Sequence, residues 1–75
     1  MKRATLTLLG RPGCQLCEDF REELEAVYPG RFTVQQACVD DRPDWKARFG
    51  TLIPVLLDVD GRIVCATRFD RDALK

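Results

Sequence analysis

The segment ATLTLLGRPGCQLC, residues 4–17, runs from a short apolar stretch through turn-forming residues into two cysteines three positions apart. Threonine and leucine alternate and cluster in ATLTLL, between a charged start and the turn formers Gly10, Pro12 and Gly13, which suits a short strand. From Cys14 onward Leu16, Phe20, Leu24 and Val27 recur at helical spacing, and Cys17 joins that stripe through Phe20 and Leu24. Glu18, Asp19, Glu22, Glu23 and Glu25 fill much of the remaining helical surface, and Pro29 with Gly30 stops it. A Cys-x-x-Cys pair therefore stands where a strand turns into an amphipathic helix.

The rest of the chain alternates in the same way. RFTVQQACV, residues 31–39, is apolar and β-branched enough for a second strand, after which Asp40, Asp41 and Pro43 signal a helix start. Trp45 and Phe49 share one face of that short helix, and Gly50 closes it at the C′ position. Pro54 to Asp58 and Arg62 to Ala66 read as two strands joined tightly at Asp60 and Gly61. The closing FDRDALK carries a helix start of its own: with Asp70 as N-cap, Phe69 and Leu74 take the spacing of a hydrophobic staple. The order βαβαββα predicts an α/β fold in which a right-handed crossover makes the first two strands parallel. The hairpin then adds two antiparallel strands, giving a four-stranded mixed sheet flanked by helices.

A chain of 75 residues supports a single domain, 1–75, with a thin core. Hydrophobic residues make up 45% of it, enough for a folded, monomeric globule rather than a disordered segment. Twelve basic residues balance twelve acidic ones and neither sign forms a block, so neither nucleic acid nor an anionic membrane is an expected partner. The apolar run Leu6 to Leu9 is too short for a signal segment or a membrane span, which points to the cytoplasm. In that reducing compartment four cysteines read as redox or metal chemistry rather than as a disulfide framework.

Three readings compete for Cys14 and Cys17. As a structural staple they close so short a loop that chain entropy returns only about 2 kcal/mol. As half of a zinc site they have the right spacing, but the chain has no histidine and no second Cys-x-x-Cys, only the separate Cys38 and Cys65. As a redox dithiol they gain from their position. A thiolate at a helix N-terminus faces backbone N–H groups without intrahelical partners and the positive end of the helix dipole, which favours Cys14 as nucleophile. Cys17, one turn on and on the apolar stripe, is the more shielded thiol, suited to resolving a mixed disulfide. Glu18 and Asp19 in the first turn oppose the thiolate, and Arg11 is the cation placed to offset them. Cys38 and Cys65 fall in strand segments among apolar residues, where cysteine behaves as a small hydrophobe, unpaired and non-catalytic.

A Cys-x-x-Cys at the mouth of a strand-to-helix turn, in this element order, resembles the thioredoxin fold and specifically the glutaredoxins. The resemblance spans nearly the whole chain. It is carried by RPGCQLC after the first strand, by FGTLIPVLL with a proline opening the third strand, and by GRIVCATRFD leading into the last helix. These stretches are similar to the small glutaredoxin-like family of unassigned function. The well-studied glutaredoxins usually have Cys-Pro-Tyr-Cys, Thr-Val-Pro and a late Cys-Asp-Asp. Here Gln15 and Leu16 separate the cysteines, Leu52 and Ile53 precede the proline, and only Phe69, Asp70 and Asp72 echo the third segment.

The resemblance implies a cis Ile53–Pro54 bond beside the dithiol. Ile53 would offer its main chain to an extended peptide or to glutathione, and Pro54 would fix the geometry. It implies a thiol–disulfide oxidoreductase with Cys14 attacking and Cys17 resolving, without a bound metal or prosthetic group, serving glutathione or a protein disulfide, with glutathione as co-substrate. Two alternatives stay open from the residues: a thioredoxin-fold binding or adaptor module that keeps the dithiol without turnover, and a structural zinc site.

Overall fold

The computed structural model describes residues 4–74. Strand β1 (Ala4–Gly10) leads through a loop into helix α1 (Gln15–Val27) and back along strand β2 (Phe32–Cys38). A 3₁₀ turn at Val39–Asp41 precedes helix α2 (Pro43–Phe49), strands β3 (Val55–Leu57) and β4 (Ile63–Ala66), and a 3₁₀ turn at Arg71–Leu74. The strands form one sheet in the order β2-β1-β3-β4. β1 and β2 are parallel over their whole length, from Ala4 opposite Phe32 to Gly10 opposite Cys38, as a helical crossover requires. β3 runs antiparallel to β1 and pairs with β4 as a hairpin. The mixed four-stranded sheet with flanking helices read from the sequence is the fold observed.

Strand alternation divides the core in two. Leu6 and Leu8 of β1 point to one face, where they meet Phe20 and Leu24 of α1, Leu56 and Cys65. Leu9 points to the other face and packs with Val39, Phe49 of α2, Val55 and Leu57, with Trp45 partly buried against them. Each such large side chain contributes about 1.5–3 kcal/mol by leaving water. Pro43 stands at the first helical position of α2, where its missing N–H costs nothing. Among the described residues no helix is long and apolar enough to cross a membrane.

Three local expectations change. Leu16 does not belong to the buried stripe: it is 60% exposed. The helix starts at Gln15, beyond the end of β1 at Gly10, so its first turn overhangs the sheet, and Cys17 rather than Leu16 takes the last place against it. The hairpin turn is held less by Asp60 than by Asp58, whose Oδ1 accepts the backbone N–H groups of Asp60 and Arg62, each at 2.9 Å, while Gly61 supplies a positive φ of 81°. The last element is one 3₁₀ turn instead of an α-helix. Asp70 does start it, accepting from the Asp72 N–H at 3.0 Å and, through its carbonyl, from the Ala73 N–H at 3.1 Å. Phe69 packs edge-on against Phe20 with ring centroids 5.6 Å apart. The Leu74 side chain of the expected staple lies outside the described residues.

Candidate active site

The loop between β1 and α1 is built by Pro12 and Gly13. The Cys14 N–H donates to the Arg11 carbonyl at 3.2 Å, and Gly13 holds a φ of +78°, the pattern of a type II turn with proline then glycine at its centre. That turn delivers Cys14 to the N-cap of α1 in extended backbone geometry, φ −84° and ψ 103°. Its Sγ accepts the Cys17 N–H at 3.2 Å, and its carbonyl accepts the Glu18 N–H at 3.3 Å. A sulfur here occupies the place that serine or aspartate takes in ordinary helix caps, where negative charge is stabilised.

Cys14 and Cys17 are joined as a disulfide with Cα atoms 5.3 Å apart. Both side chains are half-buried, so exposure does not separate them in the way the stripe suggested; their contacts do. Cys14 caps the helix at its open end. Cys17 stands against β1: a Cβ at Gly10 would lie 2.9 Å from its Sγ and 3.2 Å from its Cβ. Only glycine leaves that space, so Gly10 is part of the site although its sequence context marked it simply as a turn former.

Arg11 does not face the acids of α1. Its guanidinium forms a two-pronged pair with Asp40, Nε to Oδ2 at 2.9 Å and Nη2 to Oδ1 at 3.0 Å, and its Nη1 donates to the Gly50 carbonyl at 2.9 Å. This binds the dithiol loop to the turn after β2 and to the end of α2. The hydrogen bonds from Arg11 are the main reason that the Asp40 carboxyl lies below the usual carboxylate range, and the reciprocal bonds raise Arg11. Asp19 is held by Gln15, whose Nε2 donates to Oδ1 at 2.9 Å. No sequence motif announced the Arg11–Asp40 pair; it joins residues 29 positions apart.

The Ile53–Pro54 peptide bond is cis. Leu9 pairs with Val55, so continuing the antiparallel register by one residue sets Pro54 beside Gly10 at the dithiol end of the sheet. Pro54 is fully buried and its carbonyl accepts the Thr67 N–H at 2.7 Å; Ile53 is partly buried against the α2-side core. On the opposite flank of Gly10 a cleft of about 350 Å³ opens between α1 and the end of β2, lined by Gly10, Arg11, Cys14, Cys17, Gln36 and Cys38 among others. Ile53 and Pro54 do not line it.

The remaining cysteines part company. Both are free, but Cys65 is buried in the α1-side core while Cys38 is half-buried and lines the cleft, contrary to the shared reading of the two as enclosed hydrophobes. Burial pushes the Cys65 thiol up from its ordinary range. Among the described residues no group of three or more His, Cys, Asp or Glu side chains is placed to hold a metal ion.

A helix-capping dithiol on a mixed sheet of this topology defines a protein of the thioredoxin-like class. A family model for the Glutaredoxin-like domain (DUF836) matches residues 5–75, and the chain belongs to that family. Among solved structures it is similar to protein Ne2328 from Nitrosomonas europaea, with a TM-score of 0.86 and 22% identity over 99% of this chain and 89% of that one. It is also similar to the structural genomics target XcR50 from X. campestris, with a TM-score of 0.73 and 32% identity over 92% of this chain and 88% of that one. No curated protein matches the chain.

Proposed function

We propose that the protein is a cytoplasmic, monomeric thiol–disulfide oxidoreductase of glutaredoxin-like type. The observation that carries this reading is the Cys14–Cys17 bond across the first turn of α1, with the Cys14 sulfur accepting a backbone N–H at the helix start. In the reduced protein the Cys14 thiolate attacks one sulfur of a substrate disulfide, forming a mixed disulfide and releasing the other half as a thiolate. Cys17, deprotonated by solvent, then attacks Cys14 Sγ, closes the Cys14–Cys17 bond and releases the second thiolate. Two electrons pass to the substrate, and two equivalents of a thiol such as glutathione return them. No bound metal or prosthetic group enters. The substrate is a protein disulfide or a glutathione mixed disulfide, received on the Ile53 main chain beside cis Pro54, next to Gly10 in the sheet.

The test is an exchange assay on a glutathionylated peptide and on a protein disulfide, with wild type, Cys14→Ser and Cys17→Ser. Cys14→Ser loses exchange on both. Cys17→Ser accumulates a mixed disulfide on the protein substrate and keeps turnover on the glutathionylated one, because free glutathione resolves that intermediate. A wild type no faster than free glutathione on either substrate contradicts the proposal and favours a binding module that retains the dithiol.

A further inference from the structure

Cys38 ends β2 in register with Gly10. Phe32 and Val34 of the same strand pack on the α1-side core, so alternation sets Cys38 on that face as well. On the neighbouring strand the place of the missing Gly10 side chain is filled by Cys17 Sγ, 2.9 Å from the position of a Cβ there. Adjacent strands lie about 4.8 Å apart, which sets Cys38 one strand spacing from Gly10, on whose face the Cys17 sulfur rests. Cys17 and Cys38, with Cys14, line the cleft of about 350 Å³. The Cys38 thiol is free, half-buried, and donates to Asp40 Oδ2 at 3.9 Å. Asp40 is in turn fixed by Arg11 of the dithiol loop, so the third sulfur and the loop share one anchor.

We infer that Cys38 is a third exchange thiol, which takes the disulfide from Cys14 by bonding to Cys17. The inference rests on the redox reading of Cys14 and Cys17. Cys38 loses its proton to water in the open cleft and attacks Cys17 Sγ. The Cys14–Cys17 bond breaks, the Cys17–Cys38 bond forms, and Cys14 leaves as a thiolate. No electrons are gained or lost overall. Attack at Cys17 is favoured over attack at Cys14 on two grounds: Cys17 is the sulfur beside Gly10, and the departing Cys14 sulfur is stabilised by the Cys17 N–H at the helix start. The product is an oxidised protein with its helix-capping nucleophile, Cys14, free. In such a form the Cys14 thiolate attacks a partner's disulfide, bonding one of its sulfurs as a mixed disulfide and releasing the other as a thiolate, and Cys17, bonded to Cys38, is no longer available to resolve it. Cys65, enclosed in the core, takes no part.

The experiment uses Cys14→Ser, because serine at an N-cap preserves the helix start. The full-length variant and wild type are oxidised with stoichiometric diamide, alkylated, and mapped by intact mass and peptide analysis. Cys14→Ser loses two hydrogens and yields linked Cys17 and Cys38 peptides, and the bond is absent from Cys14→Ser/Cys38→Ala. Wild type closes Cys14–Cys17 in the main, with a minor fraction in which Cys14 is alkylated and Cys17 is bound to Cys38. If wild type closes Cys14–Cys17 while Cys14→Ser leaves Cys17 and Cys38 both alkylated, or links through Cys65, the relay is overturned and the oxidoreductase reading stands. If Cys14→Ser links Cys17 to Cys38 but wild type forms no Cys14–Cys17 bond, the assignment of Cys14 fails instead.

Discussion

The two faces of the sheet are filled to different depths at the same end of the molecule. On the α2 side Leu9, Val39 and Val55 have no exposed surface and Phe49 has 2%, so packing reaches the last turn of the strands. On the α1 side Leu6, Leu8, Phe20 and Leu24 are equally enclosed, but the layer stops short: where β1 ends there is a glycine, a sulfur resting on it, and a cleft. The difference teaches what each face is for. The closed face fixes the ends of β1 and β3, and the open face leaves a cleft at the sulfurs of Cys14 and Cys17 at the start of α1 and of Cys38 at the end of β2.

The largest effect that sharpens this contrast is Phe49→Ala. Truncating the fully buried aromatic of the closed face costs about 3–5 kcal/mol, read by urea unfolding of the reduced protein. The dithiol is untouched by the substitution, so any surviving folded fraction still closes its disulfide. Gly10→Ala acts at the open face. Its Cβ must displace Cys17, at a cost of about 1–3 kcal/mol, and with it comes a change in the rate of disulfide closure that Phe49→Ala does not produce. If Gly10→Ala leaves both stability and closure unchanged, Cys17 does not rest on β1 as described.

Asp40→Asn probes the strut between the two regions, and its effect is smaller because the pair with Arg11 is exposed. The folded Asp40 carboxyl titrates below its ordinary value, so its contribution to stability is complete above the unfolded pKa and is lost as pH falls through the folded one. Asp40→Asn is accordingly less stable than wild type at neutral pH, and the two converge in acid. A difference that persists at low pH breaks this account of Asp40. The smallest effect belongs to Leu16→Ser, expected within about 0.5 kcal/mol of wild type because its side chain meets water. A large loss would place Leu16 back in the core.

Periodicity made the closed face legible. The alternation of β1, the spacing of Trp45 and Phe49, and Pro43 at a helix start are local signals, and each led to the element observed. The open face was legible in its chemistry and less so in its contacts. Cys-x-x-Cys at a strand-to-helix junction is visible in a single line of sequence. The seating of Cys17 on Gly10, the capture of Arg11 by Asp40, and the approach of Cys38 all depend on which residues the parallel register brings together across the crossover. Leu16 was misread because helical spacing is indifferent to where the neighbouring strand ends. The C-terminal segment kept its cap at Asp70, but the turn that follows is 3₁₀, since the Ala73 N–H reaches back three residues instead of four. Pairing of that kind is decided by tertiary packing and leaves no mark in composition.

The central claim is that Cys14 and Cys17 form a working redox couple. The most direct measurement is a redox titration of the purified protein in glutathione buffers, with the Cys14–Cys17 peptide quantified at each point after alkylation. Glutaredoxins and thioredoxin lie between about −200 and −270 mV, a span of roughly 3 kcal/mol for a two-electron couple, and the midpoint is expected inside it. A pair that stays oxidised throughout that range, or one that stays reduced at its oxidising end, contradicts the account.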